Sequence, residues 1–274
     1  MAAGGAFWLA KSQAEGPSQA VEPPAAGLPD TPDYHSLLVD PADPEQILLG
    51  THVGLYESVD GGRRWEFARL EGHDAMNLVR ASGETVWTAG HNVLAKSTDG
   101  GNTWIDARPD GLPSLDVHGF AVDPRDSQRL YAAVAGEGLY RSTDGGASFE
   151  LLSKEVGGGV MALAATPAGE ILAGDMQQGL LVSEDEGKTW RQTLAAGLMG
   201  LAMNPNDPDR ILASGPGILL STDGGASWRT VQDISAGAGP VAWSPSDPKV
   251  AYAVGFDRLL YRTTDGGATW NVVE

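Results

Sequence analysis

The chain contains no cysteine, which removes disulfides, thiolate metal sites and a lipidated cysteine from consideration. It is also poor in positive charge, with 18 Lys and Arg against 36 Asp and Glu and a formal net charge of -18. A surface of that sign repels phosphate backbones and anionic lipid, which argues against nucleic acid as a partner and against direct membrane binding. A cation or a basic protein is favoured instead. Long apolar runs are missing: residues 2–10 form the N-terminal one, too short to span a bilayer and without a basic stretch before it. Neither a Ser-His-Asp spacing nor a phosphate-binding glycine loop occurs. Aromatic residues are few, and five of the eight tryptophans close one recurring motif, so platforms for stacking sugars are scarce.

That motif is what the chain has in abundance. Ser97-Thr98-Asp99-Gly100-Gly101-Asn102-Thr103-Trp104 recurs, with variation, from Ser58, Ser142, Ser183, Ser221 and Thr263. Successive copies are 39, 45, 41, 38 and 42 residues apart. A repeat of about 40 residues built from short apolar runs is the signature of a propeller or solenoid. The octet suits a tight connection between antiparallel strands. Its aspartate accepts backbone N–H groups a few residues on, its glycines supply positive φ, and its aromatic folds back as an apolar plug. The aspartates are Asp60, Asp99, Asp144, Asp185, Asp223 and Asp265. Each loop offers one good carboxylate where Ca²⁺ wants six to eight oxygens, so their expected role is structural.

On these octets the chain resembles the Asp-box, or bacterial neuraminidase repeat, propellers. The resemblance covers all six units and is specific. The departures are mild: Arg64 stands for the small hydroxyl residue, Phe149 for the tryptophan and Glu186 at a variable place. It is similar to sortilin-type and photosystem II assembly-factor-like propellers, and to secreted bacterial proteins labelled glycosyl hydrolase. The resemblance implies an all-β fold, a six-bladed propeller of four-stranded antiparallel blades with one Asp-box hairpin each, covering residues 34–274. It also implies that the boxes join third to fourth strands, remote from any ligand. With four strands per blade in chain order, ring closure is expected from packing of blade one on blade six.

Residues 1–33 read differently. An apolar stub precedes residues 12–33, which carry Pro17, Pro23, Pro24, Pro29 and Pro32 among Gly, Ala, Ser and Gln, the composition of a flexible tether. An extracytoplasmic propeller, periplasmic or on the cell surface and held by an N-terminal anchor, is the expected placement.

Register from the boxes locates a candidate site at the opposite face, the mouth, where inner strands begin and second-to-third-strand loops cluster. His52 and His91 each lie six residues before their box, in equivalent loops of adjacent blades. His35 and His118 each lie five residues before an aspartate that ends an inner strand, and Met76, Met161 and Met199 occupy the same register. His73 precedes the second inner strand. Imidazole and thioether donors together suit copper, so the sequence points to a copper site, or one for another transition metal or a small ligand. Its ligands would come from His35, His52, His73, His91, His118, Met76, Met161 and Met199. Asp74, Asp116, Glu137 and Asp175 stand on neighbouring loops as outer partners, or alternatively as an acid pair.

The resemblance also raises a sialidase-like mechanism, which wants three convergent arginines and a tyrosine–glutamate nucleophile. The arginines here fall mainly in or beside boxes, third strands and inner turns, and Arg258 alone maps to a mouth loop. Another glycoside hydrolase needs only two suitably spaced carboxylates, and no pair is marked out. The sequence therefore reads as a non-catalytic binding propeller. The alternatives are a non-sialidase glycoside hydrolase and a scaffold for a protein partner.

Overall fold

The computed structural model describes residues 25–274; the apolar stub and residues 12–24 lie outside the described residues. Six antiparallel sheets follow one another along the chain and are arranged as the blades of a propeller. Blade one uses Tyr34–Val39 as its inner strand, then Ile47–Thr51, Gly54–Ser58 and Arg64–Arg69 outward. The inner strands of blades two to six are Asn77–Arg80, Val117–Asp123, Val160–Ala165, Gly200–Asn204 and Ala238–Trp243. Second and third strands are mostly buried, because both faces pack against neighbouring blades, apart from the exposed starts of Asp126–Val134 and Asp207–Ser214. Ile171–Asp175 and Gly179–Ser183 are buried at every position, which explains why they read as continuous apolar runs rather than alternating ones.

Each Asp-box joins a third to a fourth strand. In blade two the Ser97 hydroxyl donates to Asp99 Oδ1 at 2.8 Å and accepts the Gly101 N–H, also at 2.8 Å. Asp99 Oδ1 takes the Thr103 N–H and Oδ2 the Thr103 hydroxyl, at 2.8 and 2.6 Å. The Trp104 indole N–H closes the loop on the Gly101 carbonyl at 3.0 Å. The departures have readable consequences. Arg64 still gives its N–H to Asp60 but has no hydroxyl to offer the second oxygen. Phe149 has no indole donor and instead gives its backbone N–H to Asp110 at 2.8 Å. Glu186 holds φ of 62° at a place where the other boxes have glycine.

The ring closes as expected, by packing between blades six and one: Tyr252 and Val254 share a core cluster with Leu37 and Leu49. The Tyr252 hydroxyl donates to the Pro44 carbonyl at 2.9 Å, and Arg262 pairs with Glu45.

The tether requires one correction. Residues 25–33, which composition assigns to it, lie against the ring. Ala25–Ala26 pairs antiparallel with the outermost strand of blade one as a fifth strand. Leu28 packs on the blade one–six core, the Tyr34 hydroxyl donates to Pro29, and Arg258 of blade six pairs with Asp30. Proline and alanine hide this from a composition reading, because the pairing uses backbone groups and a partner strand about 40 residues on.

Candidate functional site

The mouth is built from one irregularity used repeatedly. In blade one the pairing of inner and second strands jumps between Tyr34 and Ser36, leaving His35 unpaired. The same jump leaves out His118 in blade three and Met161 in blade four, and it recurs at residues 239–240 in blade six. A β-bulge re-aims the extra side chain. Met76 and Met199 sit just before their strands, in the same register. Two positions deeper the axial residues are Leu37, Leu78, Phe120, Leu163, Leu201 and Val241, which line a polar-topped axial cavity of about 90 Å³.

Four histidines form an arc over blades one to three. The Nε2 of His35 is 3.1 Å from Nδ1 of His52, and His91 Nε2 is 3.2 Å from His118 Nε2. Asp74 sits beneath them. Its carboxylate is 6% exposed and lies 3.3 Å from His52 Nδ1 and 3.5 Å from His35 Nε2. It makes a short hydrogen bond to His91 Nδ1. Its Oδ1 is buried and accepts no hydrogen bond, an arrangement that costs about 1–3 kcal/mol unless something else satisfies the oxygen. The far end of the arc has its own acid: Asp116 Oδ1 is 3.2 Å from His118 Nε2 and 3.6 Å from His91 Nε2.

Asp74 reaches this position because the loop linking blades one and two is pinned on both sides. Gly72 and Ala75 give their N–H groups to Val53 and Thr51 of blade one. The Ser36 hydroxyl donates to the Ala75 carbonyl. On the blade-two side, Gly90 leaves room for the Asp74 backbone: a Cβ at Gly90 would stand 2.0 Å from the Asp74 carbonyl oxygen. Buried Asn77 then ties blade two to blade three, accepting the Phe120 N–H at 3.1 Å and donating to the His118 carbonyl at 3.1 Å.

Electrostatics favour neutral imidazole at one end of the arc. Burial pushes the His35 pKa below its ordinary value of 6.5; the Asp74 carboxylate opposes the shift and His52 adds to it. Imidazole–imidazole approaches of 3.1 and 3.2 Å need either a shared proton or a shared metal. Two nitrogens each about 2.0–2.1 Å from one tetrahedral ion would stand about 3.3 Å apart. The donor separations in both halves of the arc match that value. Three overlapping N₂O sets run along the arc: Asp33, His35 and His52; His52, Asp74 and His91; and His91, Asp116 and His118.

Not every sequence-derived candidate joins the arc. His73 points elsewhere, with Nδ1 2.9 Å from the Glu71 carbonyl and the ring exposed. Its neighbour Asp74 takes the inward position. Met76, Met161 and Met199 line the axis beside His35. Asp175 is turned back on its own loop, where Oδ1 accepts the N–H groups of Gln177 and Gln178 at 2.7 and 2.8 Å. Glu137 is exposed. Asp33, which register did not select, falls beside His35 and His52; it stands two residues before His35, at the entry to the first inner strand.

Comparison with known proteins adds a family. The family model described as photosynthesis system II assembly factor YCF48 matches residues 37–175, just over half of the chain. No curated protein sequence matches. Among solved structures, the GH74 xyloglucanase from Xanthomonas campestris is similar with TM-score 0.65 at 20% identity, over 91% of this chain and 46% of that one. This chain therefore spans about half the length of that enzyme. YCF48 bound to D1 peptide is similar with TM-score 0.56 at 21% identity, over 93% and 87%. YCF48 from Cyanidioschyzon merolae gives 0.54 at 19%, over 91% and 88%.

Proposed function

For a chain that belongs to the family of the photosynthesis system II assembly factor YCF48, we propose a non-catalytic binding role in which the mouth of the propeller holds a transition-metal ion. The observation that carries this is the Asp74 carboxylate, buried with one oxygen unbonded and faced by three imidazoles. Nitrogen and oxygen donors at these spacings suit a divalent ion such as Cu²⁺ or Zn²⁺. Asp74 on His91 Nδ1 also supplies the carboxylate–histidine pairing that orients a metal-bound ring. The chain's surplus of acidic residues favours a cation over an anion as its ligand. Extracytoplasmic placement, expected from the composition of the N-terminal segment, is part of the same proposal.

The test is titration of metal-free protein with Cu²⁺ and Zn²⁺ beside a variant with His35, His52, His91 and His118 all changed to Ala. Stoichiometric binding by the parent, weakened by about 100-fold or more in the variant, is the expected result. Equal affinity in the two proteins would overturn it. Circular dichroism establishes that the variant keeps its strands.

A second reading has its own observation. Val53, Met176, Phe256 and Leu259 are exposed apolar side chains, and all four ride on second-to-third-strand loops at the mouth. A solved YCF48 binds a peptide, and a polypeptide with basic and apolar residues would suit these loops in the present chain. A glycoside hydrolase reading has less support. Asp74 and Asp116 are engaged with histidines and Asp175 with its own backbone.

A further inference from the structure

The mouth holds a second set of donors that the imidazole–carboxylate arc does not use. Met76, Met161 and Met199 come from blades two, four and five, and with His35, Tyr34, Gly239 and Pro240 they enclose a cavity of about 10 Å³. That is about the space of one water-sized particle, and a bare metal ion is smaller. Met76 is buried, while Met161 and Met199 are partly so.

The tier structure argues that these side chains are more than filling. One inner-strand register down the axis, the six blades supply Leu37, Leu78, Phe120, Leu163, Leu201 and Val241. The axial side chains at that level are hydrocarbon, and they line the floor of the cavity. At the mouth tier the same strands supply His35, Met76, His118, Met161, Met199 and Gly239. Leucine would fill that tier as well as methionine does, since Leu and Met are near-isosteric in cores. The change from branched hydrocarbon to thioether therefore coincides with the one level of the axis where donor atoms meet. Thioether sulfur is a soft ligand and selects monovalent copper over hard ions. The bulge at Met161 turns its side chain toward this level instead of into the sheet stack.

We propose that Met76, Met161 and Met199, with His35 at the edge, form a site for a soft monovalent ion, Cu⁺ or its analogue Ag⁺, distinct in donor chemistry from the arc above it. The two sites share His35. The arc takes a divalent ion through nitrogen and oxygen, and the channel takes a monovalent ion through sulfur.

Silver nitrate in chloride-free buffer is the probe, because Ag⁺ does not change oxidation state during the titration. Protein carrying ¹³C-methyl methionine has six methionines, and the methyl signals of Met76, Met161 and Met199 are expected to move on addition of one equivalent. Met203 and exposed Met176 are expected to stay. Met76→Leu, Met161→Leu and Met199→Leu combined should weaken Ag⁺ binding by about 10- to 100-fold or more while leaving Zn²⁺ binding to the arc in place. Asp74→Asn with His91→Ala should do the reverse, so failure of the arc and failure of the channel are separable. Ag⁺ affinity unchanged in the triple variant, or methyl shifts confined to Met176, would overturn the proposal. Met161→Leu alone gives the same discrimination should the triple variant fold poorly.

Discussion

Asp74 Oδ2 accepts the hydrogen bond of His91 Nδ1, and that one contact fixes which way the His91 ring faces. With Nδ1 occupied, Nε2 is turned toward His118 and Asp116. The first half of the arc is thereby coupled to the second through a single imidazole. A carboxylate in this position raises the basicity of the ring it holds and locks its tautomer.

Replacing Asp74 by Asn therefore tests orientation apart from folding. Asn keeps the size and one acceptor oxygen but removes the charge. Metal affinity is expected to fall by about 10- to 100-fold, measured by competition with a chelator of known affinity. Circular dichroism should be unchanged, since the loop is held by Gly72, Ala75 and Ser36. Unaltered affinity would show that Asp74 has no part in holding an ion.

Protons should compete with the metal. Ligation needs neutral imidazole, and His35 is already biased to the neutral form by burial. Loading is expected to be full near pH 7.5 and to fall steeply below about pH 6, where ordinary histidines take up protons. The sign for the apo fold follows from the same shift. A histidine with a folded pKa below its unfolded 6.5 binds fewer protons when folded, so its cost appears as pH falls through 6.5. Apo stability should thus decline as pH falls from about 7 through 6.5, and His35→Gln should flatten that decline in a urea-unfolding series.

Much of the fold was legible because the Asp-box is a local device. Ser97, Asp99, Gly101 and Trp104 bond one another within eight residues, so sequence alone carries the turn. Spacing then fixes the number of blades, and box register placed His52 beside His91 on adjacent blades. Inner-strand register placed His35 and His118 at one level of the axis, on blades one and three. What was not legible depends on partners far along the chain. Ala25–Ala26 carries no side-chain signal for its pairing with Arg64 and Trp65. Choosing between His73 and Asp74 for the inward position required knowing that Gly72 and Ala75 are both tied to blade one. The bulges at His35, His118 and Met161 leave no mark in the sequence, yet they turn those side chains to the axis.

The boxes make a separate forecast in acid. Hydrogen bonds from Thr103 and Ser97 and the loop N–H groups hold the Asp99 carboxyl at about 2, against an ordinary 3.8. Asp144, Asp185, Asp223 and Asp265 are held at about 2 in the same way. A depressed carboxyl contributes stability above its unfolded pKa and loses it as pH falls through the folded one. The fold is therefore expected to hold to about pH 4 and to weaken between about 4 and 2. Thr103→Val removes the hydroxyl on Oδ2. Carboxyl ¹³C titration should then find Asp99 ionising at higher pH with the other boxes unmoved; an unmoved Asp99 would mean the hydroxyl is not what holds it down.

Gly90 offers the sharpest separation of site geometry from stability. A methyl group there meets the Asp74 carbonyl oxygen at 2.0 Å and the Met76 N at 3.1 Å. Both are backbone atoms, which cannot swing aside as a long side chain would. Gly90→Ala must push residues 74–76 off blade two, at a cost of about 1–3 kcal/mol, and carry the Asp74 carboxylate away from His91. The comparison is Gly83→Ala. Gly83 sits in the opposite-face turn with φ of 58° and open space around its Cβ position, so alanine there strains the backbone by about 1–2 kcal/mol without touching the mouth. Both variants should unfold at lower urea than the parent, while only Gly90→Ala should lose metal affinity. Parallel loss in both would assign the effect to general loosening of the propeller. Loss in neither would mean that the 70–76 loop tolerates displacement and that Asp74 does not set the arc.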